Sequence, residues 1–225
     1  SLYYLVEFSI TFGPDVLTYA TLLFALPTGY ILLRLHQRAN QAREVMAHID
    51  GTYLSLFRSA QHVNEQLTDV FAEIIAEHYE QLRKQKRWCD VLVSNETQTI
   101  ADLHAELGAA IEDKKVTKLP QAALATITSD LATLQVLRKR LLFLYHDRIP
   151  VELWVFSGVY AVVLAGAISA LPSLESLEFS VTKAMLVFSI VWVFYALYRL
   201  HTLSFTERLF GQRSAKDLLK IIDGE

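Results

Sequence analysis

Apolar positions follow two patterns along this chain. In three stretches they are nearly continuous: residues 16–35 ("VLTYATLLFALPTGYILLRL"), about 151–171, and about 179–200. Each is near the roughly 20 apolar residues that a helix needs to cross a bilayer. Pro27 and Gly29 fall inside the first stretch, and membrane helices tolerate both. The short polar segment "PSLESLE" separates the other two, which are expected to form a hairpin. Residues 1–12, "SLYYLVEFSITF", are apolar but too short to span. They read as an interfacial helix or the remnant of an earlier span.

Elsewhere apolar residues recur every three or four positions, the helical period. Ala60, Val63, Leu67, Val70 and Ile74 do so, as do Ile100, Leu103, Leu107 and Ile111. Leu124, Ile127, Leu131, Leu134, Leu137, Leu141 and Tyr145 form the longest series. Breaks are expected at "SNET" (94–97), where Asn95 and Gln98 fit a capping box, and at "EDKKVTKLP" (112–120). Gly51 is a candidate kink. Long helices are predicted near 36–92, 96–112 and 120–148, stacked as a bundle, the first continuing the first span. The expected fold is an all-α membrane protein with three transmembrane helices. Its parts are residues 1–12, a first span at 13–35, a cytoplasmic helical domain at 36–149, a transmembrane hairpin at 150–200 and a cytoplasmic tail at 201–225.

Composition agrees with that division. The 225 residues are 52% apolar yet 20% charged, and mean hydropathy is +0.28. That mixture fits membrane segments joined to a sizeable water-facing part. A net charge of −3 gives no sign of a nucleic-acid partner. Lysine and arginine set the orientation: residues 34–148 hold 15, residues 199–225 hold five, and Lys183 is the remaining one. The positive-inside rule makes the side of the bundle cytoplasmic. Cys89, the one cysteine, excludes an intrachain disulfide and is read as a packing residue. No signal-peptide series is expected at the start.

The polar residues offer several candidate sites. Glu65, Asp69, Glu73, Glu77 and Glu80 are spaced to share one helix face. Like charges at that spacing repel, so the ridge is either a solvated or salt-bridged face or an acidic lining that gathers cations. A regulatory divalent cation is the cofactor it could hold, because oxygen ligands suit such ions; no EF-hand spacing is present. The seven histidines form no metal motif; His36, His146 and His201 fall at the expected membrane boundaries. Thr21, Phe24, Thr28 and Ile31 fall on one side of the first span and could line a pore, or the threonines could bond within helices. Gly158, Ala161, Ala165 and Ser169 form a small-residue stripe suited to close helix packing. Glu175, Glu178 and Lys183 would stand at an outer mouth, where Lys183 could instead snorkel or pair. No Walker A loop, G-x-G-x-x-G, G-x-S-x-G or kinase set occurs, so no enzyme is expected.

Between bundle and hairpin lies "LYHDRIPVELW" (144–154), with His146, Asp147, Arg148 and Glu152 beside an apolar run. Pro150 suits a helix start, where its missing N–H is not needed, and Trp154 suits headgroup depth. These four charged or titratable residues are candidates for a gating junction or a simple anchor.

"LRKRLLFLYHDRIPVELW", "YALYRLHTLSFTERLFG" and "REVMAHIDGTYLSLFRSAQHVNEQ" resemble, in order and topology, the bestrophin-like family of small prokaryotic membrane proteins. The resemblance covers most of residues 15–212; where the family has a proline before the phenylalanine after the last span, this chain has Ser204 before Phe205. It implies paired N-terminal spans, of which residues 1–12 would be part. Bestrophins proper are pentameric anion channels gated by cytoplasmic Ca²⁺. The expected function is an oligomeric ion channel of a prokaryotic inner membrane, its partners being lipid, copies of itself and small ions. Acidic residues narrowly favour cations; the bestrophin resemblance favours anions. A non-conducting scaffold or sensor that recruits a cytoplasmic partner is the alternative.

Overall fold

The computed structural model describes residues 14–84, 96–112, 120–170, 177–202 and 212–223. Its elements are α1 (Pro14–Gln61), α2 (Glu65–Lys84), α3 (Glu96–Glu112), α4 (Gln121–His146), α5 (Val151–Ala170), α6 (Leu177–His201) and α7 (Gln212–Asp223). No strand occurs among the described residues. Stretches within Leu17–Gln61, Gln121–Ala170 and Ser180–His201 are long and apolar enough to cross a membrane. The expected interfacial helix at 1–12 lies outside the described residues.

Pro14 opens α1 with Asp15 in its first turn, a proline and an acid where helix starts favour them. The helix continues through Pro27 for 48 residues. At 1.5 Å per residue it is about 70 Å long, more than twice the ~30 Å hydrocarbon core of a bilayer. Gly51, the candidate kink, lies within this helix.

Contacts divide the chain into two compact units, residues 1–37 with 148–202 and residues 38–147 with 203–225. The first holds the start of α1 together with α5 and α6. Ala20, Leu164, Ala167 and Ile168 form one small core, and Ile31, Leu35, Ile149 and Leu197 another. The outward surface is also apolar: Leu22, Leu26, Val162, Met185, Phe188 and Val191 are all more than half exposed. In water each would forgo on the order of 1.5–3 kcal/mol of burial. An array of this kind fits lipid or another apolar surface.

The second unit closes around its own core. From α1 come Val45, Ile49, Tyr53, Leu56 and Ala60; from α2, Leu67, Phe71, Ile75, Tyr79 and Leu82. Ile100, Leu103 and Leu107 come from α3, and Ile127, Leu131, Leu134, Leu137, Leu141 and Leu144 from α4. The α3 and α4 stripes follow their sequence period, except that Ile111 is exposed. The predicted single helix near 36–92 is broken at residues 62–64. There Asn64 Oδ1 accepts a hydrogen bond from the Leu67 N–H at 2.6 Å, an N-cap that starts α2 afresh. The break rotates the buried face of α2 from the expected Val70 and Ile74 to Phe71 and Ile75. The expected cap at Asn95 lies outside the described residues.

Candidate functional site

The junction between α4 and α5 comes first. Asp147 is extended and its N–H donates to Phe143 O at 2.9 Å. Pro150 follows and disfavours helix at the preceding residue, so residues 147–150 separate the two helices. Arg38, buried on α1, donates from Nε to Leu144 O at 2.6 Å and from Nη2 to Tyr145 O at 3.0 Å. Those carbonyls end α4 and have no partner within it, and a cation there also suits the helix dipole. His146 is exposed, and its Nδ1 lies 2.9 Å from Leu142 O one turn back. Arg148 and Glu152 are exposed and Asp147 is half-buried. The residue that engages the junction from afar is thus Arg38.

The four expected pore residues do not share a free face. Thr21 is exposed and donates to Leu17 O at 2.8 Å. Phe24 is half-buried, with its ring centroid 6.2 Å from that of Phe194 on α6. Thr28 is buried, and Ile31 is fully enclosed with Leu35, Ile149 and Leu197. Helical spacing places 24, 28 and 31 on one side of α1, and in this chain that side packs against α5 and α6. The exposed positions of α1 include Thr18, Thr21, Ala25 and Gly29 beside the larger Tyr19, Leu22, Leu26 and Tyr30. Of the small-residue stripe on α5, Ala161 is buried, Gly158 and Ala165 are half-buried, and Ser169 donates back to Ala165 O at 2.8 Å.

Lys183 is half-buried and its Nζ donates to Ser169 O at 3.4 Å, at the C-terminal end of α5. A cation is favoured at that end of a helix. Glu175 and the side chain of Glu178 lie outside the described residues.

On α2, Glu65, Asp69, Glu73 and Glu77 are exposed and Glu80 is half-buried. Glu80 Oε2 pairs with Lys84 Nζ at 2.8 Å, and Gln81 Nε2 donates to Glu77 Oε1 at 3.2 Å. Among the described residues no three His, Cys, Asp or Glu side chains come together as a metal site requires. The ridge carboxylates run along the helix instead of surrounding a point.

Beside the ridge is a feature the sequence reading passed over. A cleft of about 170 Å³ opens between α2 and α3, lined by Glu77, His78, Gln81, Gln98, Thr99 and Asp102. His78 is 2% exposed. Its Nδ1 lies 3.1 Å from Thr99 Oγ1, while Nε2 meets no protein hydrogen-bond partner among the described residues. Leaving such an atom unmatched costs about 1–3 kcal/mol. Tyr53 and Tyr79 pack against the ring at centroid distances of 5.5 and 5.4 Å, and Tyr79 donates to Asp50 Oδ1 at 2.5 Å. Burial lowers the His78 pKa to about 4, so near neutral pH it offers one N–H and one lone pair. The signal was present in the register: His78 follows Ile74 and Ile75 and precedes Leu82 on the apolar side of α2. The chain matches no family model, no curated protein and no solved structure.

Proposed function

We propose that this protein is a membrane-anchored sensor or scaffold, with the first unit in a prokaryotic inner membrane and the second on its cytoplasmic side. What carries the reading is the division of labour between the units. One exposes apolar surface on its spanning helices; the other encloses its own core and carries a polar cleft beside an acidic face. Lysine and arginine cluster on the bundle side of the spans, which supports the orientation. The resemblance to bestrophin-like proteins belongs to this reading as a likeness of architecture.

A channel is the second reading, and one observation favours it. Thr18, Thr21, Ala25 and Gly29, spaced by three and four, form an exposed strip of small residues along one side of α1, beside the larger Leu22, Leu26 and Tyr30. In a symmetric ring, such as the pentamer of bestrophins, that side could face a central path. Acidic residues would favour cations, and the bestrophin likeness anions.

Reconstitution of a verified folded oligomer in planar bilayers, with Na⁺, K⁺ and Cl⁻ substituted in turn, separates the two. The sensor reading expects no current under any of these conditions. Reproducible current overturns it in favour of the channel. A Cβ at Gly29 would meet nothing within 4 Å among the described residues beyond its own helical turn. Gly29→Leu should therefore block such a current without disturbing the fold, if the exposed face of α1 lines the path.

A further inference from the structure

The exposed face of α4 changes character along its length. Ser129, Ala132, Val136, Lys139, Arg140 and Phe143 are all exposed, opposite the buried Leu134, Leu137, Leu141 and Leu144. The face begins with small side chains and ends with two cations and a phenyl ring. Phe143 is 71% exposed and Val136 65%, more than Ile111 and Ile221, the other large apolar side chains that the second unit exposes among the described residues. Positions 136, 139, 140 and 143 are three and four apart, so they share one strip of the helix. Among the described residues no hydrogen bond or ion pair engages Lys139 or Arg140. The favourable place for a cation at the end of α4 is already taken by Arg38.

Two links keep this end of α4 near apolar helix. Arg38 donates to Leu144 O and Tyr145 O, and it stands one turn past Leu35 on the same continuous α1. Only residues 147–150 separate His146 from Val151, where the apolar α5 begins. Extended chain over that distance reaches at most about 18 Å. With α1 and α5 in a bilayer, the last turns of α4 therefore stand beside the headgroups.

We propose that the α4 face from Val136 to Phe143 docks on anionic phospholipid, with Lys139 and Arg140 pairing with headgroup phosphates and Phe143 entering the interface. The inference rests on the first unit lying in the membrane, and it names what the sensor reads: the anionic lipid content of the leaflet. Charge selects the lipid. A zwitterionic headgroup offsets its own phosphate, whereas an anionic one leaves net charge for basic residues just outside a span. Lysine and arginine stems can lie along apolar surface while their heads hold phosphate, which suits the ring and valine between them. Because Arg38 ties the end of α4 to α1, such a contact would pass from lipid to both helices.

The experiment uses the full chain in liposomes, in a Cys89→Ser background. A fluorophore is attached at His146→Cys, an exposed position about one turn beyond Phe143. A nitroxide near the glycerol end of an acyl chain is carried on phosphatidylglycerol or on phosphatidylcholine, at equal fraction in the same lipid mixture. Expected is stronger quenching by the spin-labelled phosphatidylglycerol, with local enrichment on the order of tenfold for two cations near the surface. Lys139→Gln combined with Arg140→Gln should remove the difference, and Phe143→Ser should weaken quenching by both lipids. A separate label at Val191→Cys on α6 reports the bilayer itself, and the two lipids should quench it equally. Quenching by lipid at Val191 with no preference at His146 overturns the lipid contact and leaves the membrane reading standing. Quenching at Val191 by aqueous iodide instead overturns both. A preference that survives the double glutamine variant overturns the proposal by assigning it to cations elsewhere. So does disulfide cross-linking between copies through Phe143→Cys, which would give this face to a second copy of the chain.

Discussion

Arg38 reaches Leu144 across 106 positions of sequence and donates to its carbonyl oxygen at 2.6 Å. A second bond goes to Tyr145 O at 3.0 Å. Together they close the end of α4 one turn before Pro150 stops helix formation. A guanidinium suits this task because its donors form a fixed fork, whereas a lysine ammonium is a single point. Charge-assisted bonds of this kind are worth about 1.5–3 kcal/mol each, and their loss strands buried acceptors. Arg38→Met should therefore lower stability by about 2–4 kcal/mol, with Arg38→Lys recovering only part of it. Equilibrium unfolding in mild detergent measures both. A methionine variant as stable as the parent would show that the two carbonyls find other partners.

Asn64 determines where α2 begins. Its side chain accepts from the Leu67 N–H, and the α2 core face is registered from that point. Asn64→Ala should cost about 1 kcal/mol, and Asn64→Asp should keep most of the cap. Hydrogen exchange at the Leu67 amide reports the effect locally, with faster exchange expected in the alanine variant alone. Equal protection in both would place the control of this helix start elsewhere.

These two residues show what the sequence made readable. The three helices long and apolar enough to cross a membrane were legible because length and apolarity are local properties. The α4 core was legible because Ile127 to Leu144 keep an uninterrupted helical period. Asn64 was overlooked because Val63 and Leu67 continue the apolar spacing across the break. The Arg38 link was illegible, since no local pattern joins residues 38 and 144. For the candidate sites the difference is sharper. Spacing put Phe24, Thr28 and Ile31 on one face but could not say that this face is spent on α5 and α6. Spacing alone shows Glu77 as one acid in a ridge. Its cleft became visible only with Gln98, Thr99 and Asp102 placed opposite, on a different helix.

Val191 and Glu73 should meet different solvents. Val191 is exposed on the apolar α6 and Glu73 on the acidic side of α2. Fluorophores would be attached at single cysteines in a Cys89→Ser background, with the protein in liposomes. The label at Val191 should be quenched by a nitroxide on the lipid chain, and the label at Glu73 by aqueous iodide. Iodide quenching at Val191 would remove α6 from the bilayer. Quenching there by neither agent would assign that face to contact with a second copy.

His78 should give the protein a specific acid sensitivity. Its pKa is lowered from 6.5 to about 4 by burial, so between those values the unfolded chain holds a proton that the folded chain does not. Stability from this residue is complete above about pH 6.5 and is lost as the pH falls toward 4. A shift of this size corresponds to about 3 kcal/mol over that window. The informative quantity is a difference between two proteins. Unfolding of the parent and of His78→Gln would be compared at pH 7, 5.5 and 4.5. The parent should lose most of that amount relative to the variant, with the gap closing steadily as the pH drops. Parallel profiles would mean that the imidazole gains solvent or a proton without unfolding, and that the contacts with Tyr53, Tyr79 and Thr99 do not hold it dry.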